Sequence, residues 1–307
     1  MTCSTHDLSS RPLTVFTSCR FQRITKIFPQ GRADIICGLI EDSSFSGEVA
    51  VKGFLLARHD DQQLIENELK TWRLLCPHPN IATFIGTAPI NDYKPCYLPI
   101  GPVSDYYVNG NLSQFLMKTD PDRGDTTRRL QLLIGVARGL KHMHEKSVIH
   151  GDLKASNVVV DADGQLAKIC DFGSSIIDCV CYDGPRDQEG TVAWDSPELY
   201  EEDDVIRTKQ SDVWAFGCTA LEIQMGSLPW DPEGNIDRVM ARQLRGGYPA
   251  REEWLDLGED EILHEVWGLM QECWNEVPSD RPTPSDLLPR LEALGERISA
   301  PVALSMI

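Results

Sequence analysis

The sequence predicts an α+β protein of two unequal lobes, a strand-rich first third followed by a helix-rich remainder. Short β-branched and apolar runs between turn residues dominate from about Phe21 to Pro102. After Gly110, apolar residues recur at three-four spacing over long stretches. The pattern changes near Ser104 to Asn109. The boundaries that follow are a flexible N-terminal tail over 1–20, a first lobe over 21–103, a junction over 104–109, a second lobe over 110–295 and a C-terminal tail over 296–307.

The tail is polar and aperiodic. Val49 to Lys52 is a β-branched run after the turn Ser46-Gly47, and Ile81 to Ile85 and Cys96 to Ile100 are further strand candidates. Between them, Asp61 to Leu75 reads as a helix, with Leu64, Leu69, Trp72 and Leu75 on one side. Thr126 to Lys146 predicts a long helix from Leu130, Leu133, Ile134, Ala137, Leu140 and His144. Ser211 to Gln224, Glu261 to Trp274 and Pro282 to Leu294 complete the predicted helices.

Composition narrows the function classes. With 307 residues, 41% hydrophobic and 25% charged, the chain can bury a sizeable core. No apolar run is long enough to span a bilayer, so no membrane partner is expected. Met1 to Thr17 lacks the charged-then-apolar order of a secretory leader, and a cytoplasmic or nuclear location is the expectation. The ten cysteines form no C-x-x-C pair, and no His cluster sits at zinc spacing. Reduced thiols suit that location. A net charge of −18 makes nucleic acid a poor partner and basic protein surfaces better ones, though acidity that only keeps the chain soluble is the simpler reading.

The chemistry concentrates in His150-Gly151-Asp152-Leu153-Lys154-Ala155-Ser156-Asn157, set between the apolar runs Val148-Ile149 and Val158-Val160. Such a loop can present a carboxylate and an amide on one wall of a cleft. Asp152 can accept a proton from a hydroxyl, the Asn157 oxygen can bind Mg²⁺, and Lys154 can steady a moving phosphoryl group. Cys170-Asp171-Phe172-Gly173 adds a second carboxylate suited to Mg²⁺. Lys52 ends the Val-Ala-Val-Lys run, where it can reach the α and β phosphates of ATP if a carboxylate holds it. Glu68 is the candidate.

These residues, in this order over roughly 20 to 295, resemble the protein kinase family. The resemblance implies a two-lobed fold: a small antiparallel-sheet N-lobe with one helix, and a larger, mainly helical C-lobe. It implies ATP and Mg²⁺ as cofactors and protein substrates. By the same match Lys52 anchors ATP, Glu68 is its partner, Asp152 is the catalytic base, and Asn157 and Asp171 are metal ligands. Ile35, Ala50 and Val159 line the nucleotide site, Ser104 is the gatekeeper, and Asp105 to Tyr107 form the hinge. Phe172, Trp72 and Phe84 stack with His150 in the core. Ser196-Pro197-Glu198 closes an activation segment that opens at Asp171, and Arg281 pairs with Glu198. Lys154 and Thr191 follow the Ser/Thr pattern. Tyr107 to Leu112, Cys273-Trp274 and Arg281-Pro282 are similar to the tyrosine-kinase-like group.

Three departures stand out. Phe28, Gln30 and Ala33 occupy the positions of the family's loop glycines, with Gly31 off register, so fewer close backbone N–H donors are expected at the phosphates. Gly151 stands where many kinases carry an Arg that meets a phosphate on the activation segment, so turnover is expected without phosphate on Ser174, Ser175, Tyr182 or Thr191. One extra residue before His78-Pro79-Asn80 leaves Glu66 open as the partner of Lys52. Two other functions stay open: a pseudokinase that binds ATP or acts as a scaffold, and a small-molecule phosphotransferase.

Overall fold

The computed structural model describes residues 13–16, 24–30, 33–41, 45–54, 61–90, 100–179, 190–200, 206–230, 236–255 and 257–299. The N-lobe is an antiparallel sheet of β1 (Ile24–Gln30), β2 (Ala33–Glu41), β3 (Ser46–Phe54), β4 (Phe84–Pro89) and β5 (Ile100–Asp105). Their order is β1-β2-β3-β5-β4. Alternation along β3 buries Val49 and Val51 among Ile36, Ile40 and Val103. Lys52 lies opposite Ile35, and Ala50 opposite Ser104, so the strand registers bring the predicted nucleotide residues together. Among the described residues the N-lobe holds one helix, α1 (Asp61–Leu75), which runs over the predicted residues.

Several strand boundaries differ from expectation. Ser46 and Gly47 pair with Glu41 and Ile40 inside the β2–β3 ladder rather than forming a turn. Ile81 makes only a single bridge, to Ile169, and the strand proper starts at Phe84. β5 begins where Cys96 to Ile100 was expected to end, and Cys96 lies outside the described residues. Short apolar runs carry no register information, so pairing across the sheet decides. Residues 14–16, expected in the tail, lie along the edge of β4. Phe16 N–H donates to Thr87 O at 2.9 Å, and the Phe16 ring is buried in the sheet's core.

The C-lobe holds α2 (Leu112–Thr119), α3 (Thr126–Glu145), α4 (Lys209–Met225), α5 (Ile236–Gln243), α6 (Glu261–Cys273) and α7 (Pro284–Ser299). α2 and α5 had no counterpart in the sequence reading, because eight-residue helices offer too few turns to show a period. α7 runs past residue 295 into the expected C-terminal tail. α4 is the hub: nearly all of its residues are buried, and it packs on α3 and α6. Thr208 and Ser211 form a capping box at its start, and Gly226 closes it in the left-handed region at φ +61°. The short ladders β6 (Val148–Ile149) with β9 (Ile176–Ile177), and β7 (Val158–Val160) with β8 (Ala167–Ile169), pin the loops between them against this hub. Among the described residues no helix is long and apolar enough to cross a membrane.

Candidate active site

A cavity of about 520 Å³ opens between the lobes. Ile35, Ala50, Lys52, Glu68, Ser104, Asp105, Tyr107, Val159 and Asp171 all line it. A second groove of about 530 Å³, behind α1 around Arg73 and His78, contains none of them. The Tyr107 hydroxyl oxygen accepts from Thr83 N–H at 2.9 Å. Cys37 and Cys170 also line the cavity and were not anticipated. Burial pushes the Cys170 thiol well up, which leaves it inert.

Lys52 Nζ stands 2.7 Å from Glu68 Oε1 and 2.7 Å from Asp171 Oδ1. Glu68 is buried while Glu66 lies on the exposed face of α1, so the structure pairs Lys52 with Glu68. Burial would lower the Lys52 ammonium, but Asp171 and Glu68 hold it well above its ordinary value. Burial pushes Glu68 up against the pull of Lys52, whereas Lys52 holds Asp171 below the usual carboxylate range. The charged triad therefore needs all three members in a low-dielectric wall.

The catalytic loop is fixed from below. The buried Asp212 of α4 accepts the His150 and Gly151 backbone N–H groups at 2.8 and 2.9 Å, and its Oδ2 lies 2.9 Å from His144 Nε2. His144 and His142 are both bonded to protein partners, His142 through Nε2 at 2.9 Å from Leu75 O. His150 stacks edge-on to Phe172, which meets Trp72, which meets Phe84, at centroid distances of 6.0, 5.8 and 5.6 Å. This run of rings ties α1 to the loop. On that base Asp152 Oδ1 accepts the Thr191 hydroxyl at 2.7 Å, and Oδ2 accepts from Lys154 Nζ at 2.7 Å and Asn157 Nδ2 at 3.0 Å. Lys154 Nζ also donates to the Thr191 oxygen. Asn157 Oδ1 accepts no hydrogen bond among the described residues. One amide oxygen and one carboxylate, Asn157 and Asp171, make a donor set that fits Mg²⁺.

The activation segment is described up to residue 179 and again from 190, so Tyr182 lies outside the described residues. Ser175 is buried and donates to His150 O at 3.0 Å, so it is a structural hydroxyl rather than an open phosphorylation site. Arg281 grips Glu198 with two bonds of 2.6 and 2.8 Å. Phe28 and Gln30 lie in β1, and Gly31 lies outside the described residues. Ala33 opens β2, is 2% exposed and packs with Phe54 and Ile65.

Glu222 was not anticipated, because a lone Glu within a helical pattern reads as a solvated face. Its Oε1 accepts Ala155 N–H at 2.9 Å and Trp194 Nε1–H at 2.7 Å, joining α4 to both the catalytic loop and the segment. Burial pushes its carboxyl from 4.5 up to about 7. A carboxyl raised on folding stabilises fully below its unfolded value, and the contribution is lost as pH rises through the folded one. Wild type should therefore lose on the order of 3 kcal/mol relative to Glu222→Gln between about pH 4.5 and 7. Gln keeps the accepting oxygen. Melting temperatures of both proteins across that range test this, and parallel curves would refute it.

The family model for protein tyrosine and serine/threonine kinases matches residues 29–291. The chain is 28% identical over 265 residues to the serine/threonine/tyrosine-protein kinase HT1 of Arabidopsis thaliana, across 84% of this chain and 63% of that protein. It is 29% identical over 220 residues to the serine/threonine-protein kinase CTR1 of the same plant, across 71% of this chain and 25% of that protein. It is 30% identical over 252 residues to the human lymphokine-activated killer T-cell-originated protein kinase, across 75% of each. The chain thus spans from about a quarter to three quarters of the length of these relatives.

Proposed function

The chain belongs to the protein kinase family, with relatives of the tyrosine-kinase-like type, and from that premise we propose that it transfers the ATP γ-phosphate to Ser and Thr hydroxyls of other proteins. One observation carries the reading: Lys52, Glu68 and Asp171 form one charged cluster in the cleft, while Asp152, Lys154, Asn157 and Thr191 form the other. A scaffold has no need of both. Lys52 would hold the α and β phosphates, with Glu68 keeping its ammonium in place. Asn157 and Asp171 would hold Mg²⁺, which supplies charge neutralisation at the phosphates. Asp152 would take the proton of the incoming hydroxyl, and Lys154 would steady the transferred group. Thr191, bonded to both, supports Ser/Thr acceptors. Basic protein surfaces fit the acidic chain, and a cytoplasmic or nuclear location fits its composition.

A second reading, a nucleotide-binding module without transfer, is favoured by Phe28, Gln30 and Ala33 at the loop glycine positions. Calorimetric titration with ATP, with and without Mg²⁺, separates the two. Mg²⁺-dependent binding should be measurable but weak, and Gln30→Gly should tighten it by up to about ten- to a hundredfold. That range corresponds to one regained charge-assisted bond of about 1.5–3 kcal/mol. Ala33→Gly should instead lower stability by about 1 kcal/mol, because the methyl it removes is packed. No measurable binding would favour the scaffold.

A further inference from the structure

Arg207 takes no part in the proposed reaction, yet it is only 9% exposed. It precedes α4 and reaches back under the activation segment. Its Nη1 and Nη2 donate to Asp195 Oδ1 and Oδ2 at 2.6 and 3.0 Å. Asp195 Oδ2 also accepts the Tyr200 hydroxyl at 2.8 Å. The cation therefore has its counter-ion within the same chain. The Asp152 carboxylate lies within electrostatic reach of the guanidinium as well.

Two glycines border this side chain. Gly151 adopts φ +81°, and a Cβ there would strike the Ser174 carbonyl and come within 3.2 Å of Arg207 Cδ. Gly190 does not have a positive φ, so backbone conformation does not require glycine there. The three atoms nearest its missing Cβ all belong to the Arg207 guanidinium, with Cζ at 2.7 Å. Residues 151 and 190 are thus small around one fixed cation. Gly190 is bonded to Thr191, whose hydroxyl donates to Asp152. Arg207 forms the wall behind that contact.

We infer that Arg207 is a positioning residue: paired with Asp195, it seats Gly190 and Thr191 against the catalytic loop, the task that a phosphate on the segment performs where the loop itself carries an arginine. The cation missing at Gly151 is thus present, supplied from position 207 and already neutralised. This rests on the kinase reading, and it would make turnover independent of segment phosphorylation.

The test compares wild type with Arg207→Gln, Arg207→Lys, Gly190→Ala, Arg207→Ala and the double variant Gly190→Ala/Arg207→Ala. Two readouts are taken: kcat with KM for ATP, and amide hydrogen exchange over 190–200, which needs no activity. Arg207→Gln should lower kcat at least about tenfold with KM for ATP nearly unchanged, and should speed exchange over 190–200. Arg207→Lys should recover part of both. Gly190→Ala should lower kcat in wild type but cost nothing further in the Arg207→Ala background. Phosphatase treatment of wild type should leave the rate unchanged. Unaltered kcat and exchange in Arg207→Gln would overturn the inference. So would an equal loss from Gly190→Ala in both backgrounds, or a phosphatase-sensitive rate restored by rephosphorylation. If Arg207→Gln does not fold, Arg207→Lys and Asp195→Asn carry the same comparison. If wild type transfers no phosphate, the kinase reading fails by itself, and hydrogen exchange alone decides the role of Arg207.

Discussion

Asp152→Asn should lower kcat by about 10² to 10⁴ while leaving the fold and ATP affinity intact, the usual worth of a positioned general base. The local geometry explains why the loss should be near-complete rather than partial. Asp152 accepts three side-chain bonds, from Thr191, Lys154 and Asn157, and makes none to Lys52 or Asp171. An amide at 152 can accept on one atom only. Its NH₂ would then face either the Lys154 ammonium, the Asn157 amide or the Thr191 hydroxyl, so both the proton acceptor and the alignment of its neighbours are lost. The nucleotide side of the cleft is untouched, so calorimetry should return the wild-type ATP affinity. The measurement is steady-state phosphate transfer to a mixed set of basic and acidic protein substrates. Transfer at the wild-type rate by the variant would remove Asp152 from its assigned role.

Arg281→Ala should lower stability by about 3 kcal/mol and the melting temperature by roughly 6–12 °C. The Arg281 side chain is fully buried, and Glu198 is 20% exposed, which places the expected loss at the lower end of the range for broken buried pairs. Removing the guanidinium strands two backbone carbonyls as well as the Glu198 carboxylate. Arg281 also donates to Gln210 O at 3.1 Å and Asn275 O at 2.9 Å, and its Cζ lies 5.1 Å from the Trp214 ring centroid. Among the described residues, Ser196 alone would remain to bond Glu198. Replacing both partners with apolar residues, as in Glu198→Leu/Arg281→Met, should cost less than removing one, because no lone charge is left in low dielectric. Thermal melts of the variants decide it. A melting temperature for Arg281→Ala within a degree of wild type would show that the pair contributes nothing.

The limits of α1 and the core of α3 were legible because three-four spacing over fifteen and twenty residues leaves one phase for the apolar face. The chemical groups of the site were legible for a different reason. Lys52, the stretch from Asp152 to Asn157, and Asp171 each sit in a short local pattern whose residue types already state the chemistry. The starts of β4 and β5 were not legible, since a short apolar run can slide along its neighbour without changing its composition. The sequence put Glu68 forward as the partner of Lys52 but left Glu66 open. Only the packing of α1 turned Glu68 inward to Lys52, sixteen residues away, and brought both to Asp171 across the lobes.

The sequence by itself therefore determined which functional groups the chain carries and the order in which they come. The tertiary structure decided which of them meet. It buried Ala33, tied Ser175 to the catalytic loop, raised Glu222, and set Arg207 between two glycines thirty-nine residues apart along the chain. The physical reason is range: a motif is written over a few neighbouring residues, whereas burial, desolvation and ion pairing are set by groups that come together only when the lobes fold.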